Sequence, residues 1–278
     1  MFKNMKWVVA AVILMLPAGS QAAFEYESIL KAAVDGPIVD VAAHPDADLV
    51  FVLTPGKILI YSTDDQVVLD QIPVDKGFDR ITYQDDDRLV LTARQPSRIN
   101  ILHFSRIYTF NLKGRAVNGP PDAKATIVVF DDYQCPYCAR LENYIQQLLE
   151  QFPKDLNCVI KHYPLPSHPL ADDGARAALA AGKQGKFWEF HSRLLAEYNQ
   201  VSEEKILEIA GSLGLDMETF NRDRMSSAVS EIIQEDVADG KFVGVRGTPT
   251  VFLNGKRVKN PGALPDLIRQ EIEKKGRQ

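Results

Sequence analysis

Ala125-Thr126-Ile127-Val128-Val129-Phe130-Asp131-Asp132-Tyr133-Gln134-Cys135-Pro136-Tyr137-Cys138 leads from an uncharged, mostly apolar run into two cysteines three residues apart. Ala125 to Phe130 suits a central strand buried on both faces, since it keeps no polar side for water. From Pro136 to Phe152 the period changes, and Leu141, Tyr144, Ile145, Leu148 and Leu149 recur along one helical face. Cys135 is therefore expected at a helix start, where unpaired backbone N–H groups and the positive end of the dipole favour a thiolate. Three residues are nearly one helical turn, so Cys138 lies behind Cys135 on the same face, close enough to form or open a disulfide. Pro136 takes the first helical position, where a missing N–H costs nothing. Tyr137 is expected to be exposed beside the attacking sulfur, where it can influence substrate fit.

Beyond this stretch, Leu156 to Tyr163 reads as a second strand. The region from about Ala171 to Val243, rich in Ala, Glu, Leu and Lys, reads as several helices with N-caps at Ser202 and Asp216. Thr250 to Leu253, the turn Asn254-Gly255 and Lys256 to Val258 form a hairpin signal, followed by a helix from Ala263 to Lys275. This half is α/β. Before it, Asn118-Gly119-Pro120-Pro121-Asp122 breaks any regular element.

The stretch from Ile38 to about Phe110 instead alternates like strands, cut at Pro55-Gly56, Asp64-Asp65 and Asp85-Asp86-Asp87. Leu49 to Ser62 recurs approximately as Leu89 to Ser105, a spacing of about 40 residues that matches four-stranded propeller blades. Two such units cannot close a propeller, so their apolar faces and edges should seek a partner, which points to dimerisation. A small β-sandwich packed on the other half fits the pattern equally.

The whole chain has 278 residues, 45% hydrophobic and 25% charged, which excludes collagen-like and wholly disordered readings and suits two domains. A net charge of −5 gives no electrostatic hold on nucleic acid. Lys3 and Lys6 precede the apolar run Trp7 to Leu16 and the small residues around Ser20-Gln21-Ala22, which reads as a cleaved signal peptide over residues 1–22. No later segment reads as a membrane span. Export places the cysteine pair where disulfides persist. A zinc half-site would need two more ligands, and neither a second cysteine pair nor a close His pair accompanies this one. Disulfide chemistry is favoured over zinc and over an inert structural disulfide.

Val128 to Gln134 running into Cys135-Pro136-Tyr137-Cys138, with Gly247-Thr248-Pro249-Thr250 before the hairpin, resembles the DsbA-like thiol:disulfide oxidoreductases of the thioredoxin superfamily. The likeness extends from about Ile107 to the C-terminus. It implies a thioredoxin fold interrupted by a helical insertion at about 171–243, and a cis Thr248-Pro249 bond facing Cys135. The backbone of Thr248 would then pair with an extended substrate peptide. The expected organisation is a signal peptide at 1–22, a small all-β, propeller-blade-like domain at 23–105, and a thioredoxin-like domain at 106–278. Cys135 and Cys138 are the expected catalytic pair, and Thr248, Pro249, Tyr137 and Pro136 the substrate contacts.

No metal or organic cofactor is expected. The expected partners are cysteine-containing protein substrates, a redox partner that resets the pair, and a second copy through the N-terminal half. Tyr137 and Thr248, with a dimerising N-terminal half, also resemble the DsbC and DsbG isomerases, so oxidase and isomerase both stand, with oxidase preferred. A chaperone-like binding module with a secondary redox pair is the rival from another class.

One departure concerns protons. Thioredoxin relatives often carry a buried acid six residues before the first cysteine, and this chain has Val129 there. By alternation Asp131 and Asp132 cannot both face the cysteines, and one is expected in solvent. Cys158, in the second strand, is expected to be buried and inert. His162, His168 and His191 lack metal-ligand spacing and are assigned surface or packing roles, while Phe187, Trp188 and Phe190 are assigned to the core.

Overall fold

The computed structural model describes Ser28 and residues 30–45, 48–85 and 87–276. The expected signal peptide lies outside these residues. The chain divides into two compact units, one ending at Phe104 and the other starting at Ser105.

In the first unit, β1 (Asp40–Ala43), β2 (Leu49–Thr54), β3 (Lys57–Ser62) and β4 (Val68–Pro73) form an antiparallel meander in sequence order. A second meander contains β5 (Arg80–Gln84), β6 (Arg88–Arg94) and β7 (Ser97–His103). Pro55-Gly56 joins β2 to β3, with Gly56 at φ +95°, a conformation glycine adopts without a side-chain clash. The two sequence repeats are thus small sheets that cover each other. Leu49, Phe51, Leu53 and Ile58 of the first share one core with Phe78, Ile81, Leu89, Leu91 and Ala93 of the second segment. Asp40 Oδ2 also accepts from Ile81 N at 2.9 Å. The opposite face of the first sheet, with Val52, Leu59 and Tyr61, is packed by Leu30 and Val34. Val68, Leu69, Ile99 and Ile101 remain exposed.

The second unit opens with an irregular segment whose Tyr108, Phe110 and Leu112 pack with Val128, Phe130 and Phe252. The strand pattern expected as far as Phe110 therefore ends earlier, with β7 at His103: the later aromatics alternate because they pack on a sheet face, and they belong to no strand. Next come β8 (Val117–Asn118), β9 (Ala125–Asp131), α1 (Pro136–Gln151) and β10 (Leu156–His162). They are followed by α2 (Ala171–Lys183), α3 (Phe187–Ala196), α4 (Glu203–Ser212), α5 (Met217–Arg224) and α6 (Ser227–Phe242). The chain then forms β11 (Thr250–Leu253), β12 (Lys256–Arg257) and α7 (Leu264–Lys275).

The sheet order is β12-β11-β9-β10-β8, with β9 and β10 parallel and the other pairs antiparallel. β8 was not anticipated, because its Asn118 belongs to the Gly-Pro-Pro stretch; only two residues pair before Gly119 turns away at φ +107°. Both faces of β9 are covered, which explains its lack of amphipathic alternation. Ile127 and Val129 join Leu141, Ile145 and Leu148 of α1, while Val128 and Phe130 join Phe252, Val243 and Val245.

The helices α2 to α6 fill the insertion. Ser202 and Asp216 cap α4 and α5 by accepting from Lys205 N and Thr219 N, and Ser226 caps α6 in the same way. Asn254 and Gly255, at φ 46° and 78°, make the turn between β11 and β12. A buried charge cluster fastens α6 to the sheet: Asp236 accepts from Lys161 Nζ at 2.7 Å, His162 N at 2.9 Å and Arg115 Nη2 at 2.7 Å.

Candidate active site

β9 delivers the chain to Cys135, the N-cap of α1, with extended backbone at φ −86° and ψ 118°. Cys138 N and Ala139 N both donate to Cys135 O, at 3.1 and 3.2 Å, and start the first turn. The second cysteine thereby sits on the same face as the first. Thr248-Pro249 is a cis bond, and the Thr248 carbonyl oxygen lies 3.2 Å from Cys135 Sγ. Cys135, Cys138, Thr248 and Pro249 therefore meet, although more than a hundred residues separate the two motifs. Tyr137 stands out at 64% exposure, with the Arg140 guanidinium 5.5 Å from its ring centre, whereas Cys135 is only 3% exposed. Pro136 is partly exposed at the start of α1.

The two thiols are free and are driven to opposite acidities. The Cys138 thiol hydrogen-bonds to Cys135 and is the largest influence pulling its pKa down to about 5, against burial and with help from Thr248 and the Cys138 and Tyr137 N–H groups. Backbone N–H groups at the helix start do contribute, but the neighbouring thiol outweighs them. Cys138 moves strongly the other way, chiefly because it is buried, and also because Cys135 and Asp131 disfavour a second negative charge. Cys135 is thus set to be a thiolate at neutral pH while Cys138 keeps its proton. Cys158 is fully buried in β10, and burial pushes its thiol well up.

Asp131 and Asp132 correct the expectation that one of them faces solvent, for both are buried. Asp131 is the last residue of β9 and shares the α1 face with Ile127 and Val129, which brings it to Cys138. Asp132 points instead into the following loop and holds it together. It accepts from Gln134 N and Leu165 N, each at 2.8 Å, and its Oδ2 lies 2.9 Å from His168 Nδ1. Burial compensated by backbone donors replaces exposure.

Neither Asp131 oxygen makes a hydrogen bond of ordinary geometry. Burial raises its pKa, with His191 and the Cys138 thiol acting in the opposite direction. His191, from α3, given a surface or packing role from the sequence, is fully buried. Its Nε2 lies 3.2 Å from Glu142 Oε2, and its Nδ1 lies 2.9 Å from Tyr133 Oη and 3.8 Å from Asp131 Oδ2. Glu142 was missed as well, though a signal existed: it lies four residues after Cys138, on a helix face otherwise apolar. His191 gave no such signal, being 49 residues from Glu142. His162 is buried with both ring nitrogens unpartnered, and burial lowers its pKa to about 4. Phe187 and Phe190 are core residues, and Trp188 packs against that core. Among the described residues, no group of three or more His, Cys, Asp or Glu is arranged to hold a metal ion.

A family model described as Thioredoxin matches residues 111–270. Among curated relatives, the Na(+)/H(+) antiporter NhaA 1 of Mycolicibacterium gilvum is 37% identical over 156 residues, covering 55% of this chain and 25% of that protein. The chain spans about a quarter of the length of such relatives. Among solved structures, a thioredoxin-like oxidoreductase from Silicibacter pomeroyi is 32% identical, with a TM-score of 0.52 over 58% of this chain and 94% of that one. Oxidised BdbD from Bacillus subtilis shares the fold, with 21% identity and a TM-score of 0.53 over 61% of this chain and 98% of its own.

Proposed function

The chain belongs to the thioredoxin family, and on that footing we propose that it is an exported thiol:disulfide oxidoreductase acting on cysteine-containing protein substrates through Cys135 and Cys138. The observation that carries this reading is the opposed acidity of two sulfurs one helical turn apart, with the acidic one beside the Thr248 carbonyl. In the oxidised pair, a substrate thiolate attacks Cys135 Sγ, and Cys138 leaves and takes up a proton from Asp131. A second substrate thiolate then attacks the substrate sulfur of the mixed disulfide, and Cys135 departs as a thiolate. The substrate gains a disulfide and the pair is left reduced, with Cys135 as thiolate and Cys138 as thiol. Thr248 and Pro249 offer backbone beside Cys135 on which an extended peptide adds as a short strand, with Pro136 and Tyr137 at its border.

A stabilised Cys135 thiolate favours the reduced pair, which supports donation of disulfides to substrates over their reduction. A redox partner must then reoxidise the pair. The second reading is a dimeric isomerase, supported by the exposed Val68, Leu69, Ile99 and Ile101 of the first unit, which suit a second copy. Export rests on the sequence of residues 1–22. Among the described residues, no helix is long and apolar enough to cross a membrane. The reduction potential of the pair tests the direction: a value towards about −120 mV agrees with an oxidase, whereas one near about −270 mV rules it out. A monomeric mass in solution would remove the dimeric reading.

A further inference from the structure

Beside Cys138 the molecule contains a small space of about 10 Å³, the size of one water molecule. Its walls include Asp131, Cys138, Glu142 and His191. Asp131, 3% exposed and with neither carboxylate oxygen in a hydrogen bond of ordinary geometry, supplies the acceptors such a water needs. On the other side of Glu142 lies a groove of about 320 Å³ between α1 and α3, lined also by Pro136, Arg140, Asn143, Ser192 and Tyr198. Glu142 is thus a wall of both spaces. It is fixed there by Ser192 Oγ at 2.6 Å and Gln146 Nε2 at 2.8 Å, besides His191.

We propose that His191 and Glu142 form a proton conduit that carries the Cys138 proton from Asp131 to the groove between α1 and α3. This rests on the disulfide-exchange reading and adds the route by which its second thiol is charged and discharged. When a mixed disulfide on Cys135 closes, Cys138 gives its proton to Asp131, and the resulting thiolate attacks Cys135 Sγ. The Cys135–Cys138 bond forms, the bond to the substrate sulfur breaks, and the substrate leaves as a thiolate; the pair is oxidised and the substrate disulfide reduced. Asp131 passes its proton to a cavity water, which bridges the 3.8 Å to His191 Nδ1 that is too long for direct transfer and displaces the Tyr133 hydroxyl 2.9 Å from that nitrogen. As Nδ1 gains a proton, Nε2–H hands one to Glu142 Oε2 across 3.2 Å, and Glu142 releases it to water in the groove. In disulfide donation the same steps run backwards.

The charges around His191 suit this role. Asp131 and Tyr133 face it from β9 and the loop after it, Glu142 from α1, and Cys138 across the shared cavity, while His162 of β10 acts on it electrostatically. Lys161, Arg115 and Asp236 act on His162 behind them. Burial opposes the charged imidazole, but Glu142 and Asp131 prevail and raise its pKa. Burial likewise opposes the Glu142 carboxylate, yet its bond to His191 leads a set of partners that hold it at about 2, so it passes a proton on without storing it.

The test uses the full chain carrying glutathione on Cys135 and follows release of glutathione as Cys138 closes the pair, from pH 5 to 9. In Glu142→Gln and His191→Gln the closure rate falls at least about tenfold and its pH profile shifts. Alkylation of Cys135 in the reduced protein changes far less. For the unsubstituted protein, the rate of closure plotted against deuterium fraction in the solvent is curved, because more than one proton moves. Wild-type closure rates and pH profiles in both folded variants, or a linear plot, overturn the conduit while leaving disulfide exchange intact. Failure of the unsubstituted protein to close the pair at all removes the exchange reading itself.

Discussion

The acidity of Cys135 makes the stability of the reduced protein depend on pH in a way that the oxidised protein cannot share. Folding lowers this thiol from its ordinary value of 9.0 to about 5. A depressed pKa contributes stability that is complete above the unfolded value and is lost as pH falls through the folded one. At pH 7 the thiolate lies about two pH units above one value and two below the other, a factor of about 100 or about 2.7 kcal/mol. Near pH 5 most of this has gone, so the reduced form should lose about 2 kcal/mol between pH 7 and pH 5 beyond any loss in the oxidised form. In the disulfide neither sulfur titrates. The same energy corresponds to about 60 mV of added oxidising power at pH 7. Urea unfolding of reduced and oxidised protein at pH 5, 6 and 7, followed by Trp188 fluorescence, measures the difference directly. If the two redox forms change in parallel with pH, Cys135 is an ordinary thiol and the reasoning fails.

Asp236→Ala leaves Lys161 and Arg115 buried without their shared partner, although Asp239 and Glu235 still reach them. The expected loss is about 3 kcal/mol, read from thermal or urea unfolding of the second unit. Asp131→Asn removes the proton acceptor beside Cys138, so closure of a mixed disulfide should slow by about a hundredfold or more in stopped-flow measurements. Native reduced protein treated with iodoacetamide at pH 6 should lose one thiol quickly, and peptide mapping should place the label on Cys135. Cys158 and Cys138, both buried with raised pKa values, should react only after unfolding.

The parts of the fold set by local chemistry could be read from the sequence. A strand ending in Cys135-Pro136-Tyr137-Cys138 needs only the apolar run before it and the helical period after it, and both lie within thirty residues. Ser202 and Asp216 cap the helices they precede, and Asn254-Gly255 turns the hairpin, since each acts on backbone a few residues away. The proton machinery could not be read in this way. Asp131, Glu142 and His191 come from a strand, a helix and the inserted helices, and only the tertiary packing of α3 against α1 brings them together. Alternation correctly separated Asp131 from Asp132 but could not foresee Leu165 N, Gln134 N and His168 around the latter. Tyr108 and Phe110 misled for a related reason: an aromatic pair spaced as in a strand also fits a segment lying across one.

The central claim is that Cys135 alone makes the covalent bond to substrate, while Cys138 opens and closes the pair behind it. Replacing Cys138 by alanine and incubating the reduced protein with a disulfide-bonded client, so that the Cys135 thiolate attacks the client disulfide and releases a client thiolate, tests this most directly. The account predicts a covalent complex through Cys135 that dithiothreitol releases and that is lost in Cys135→Ala. Absence of the complex, or its persistence without Cys135, would contradict the account.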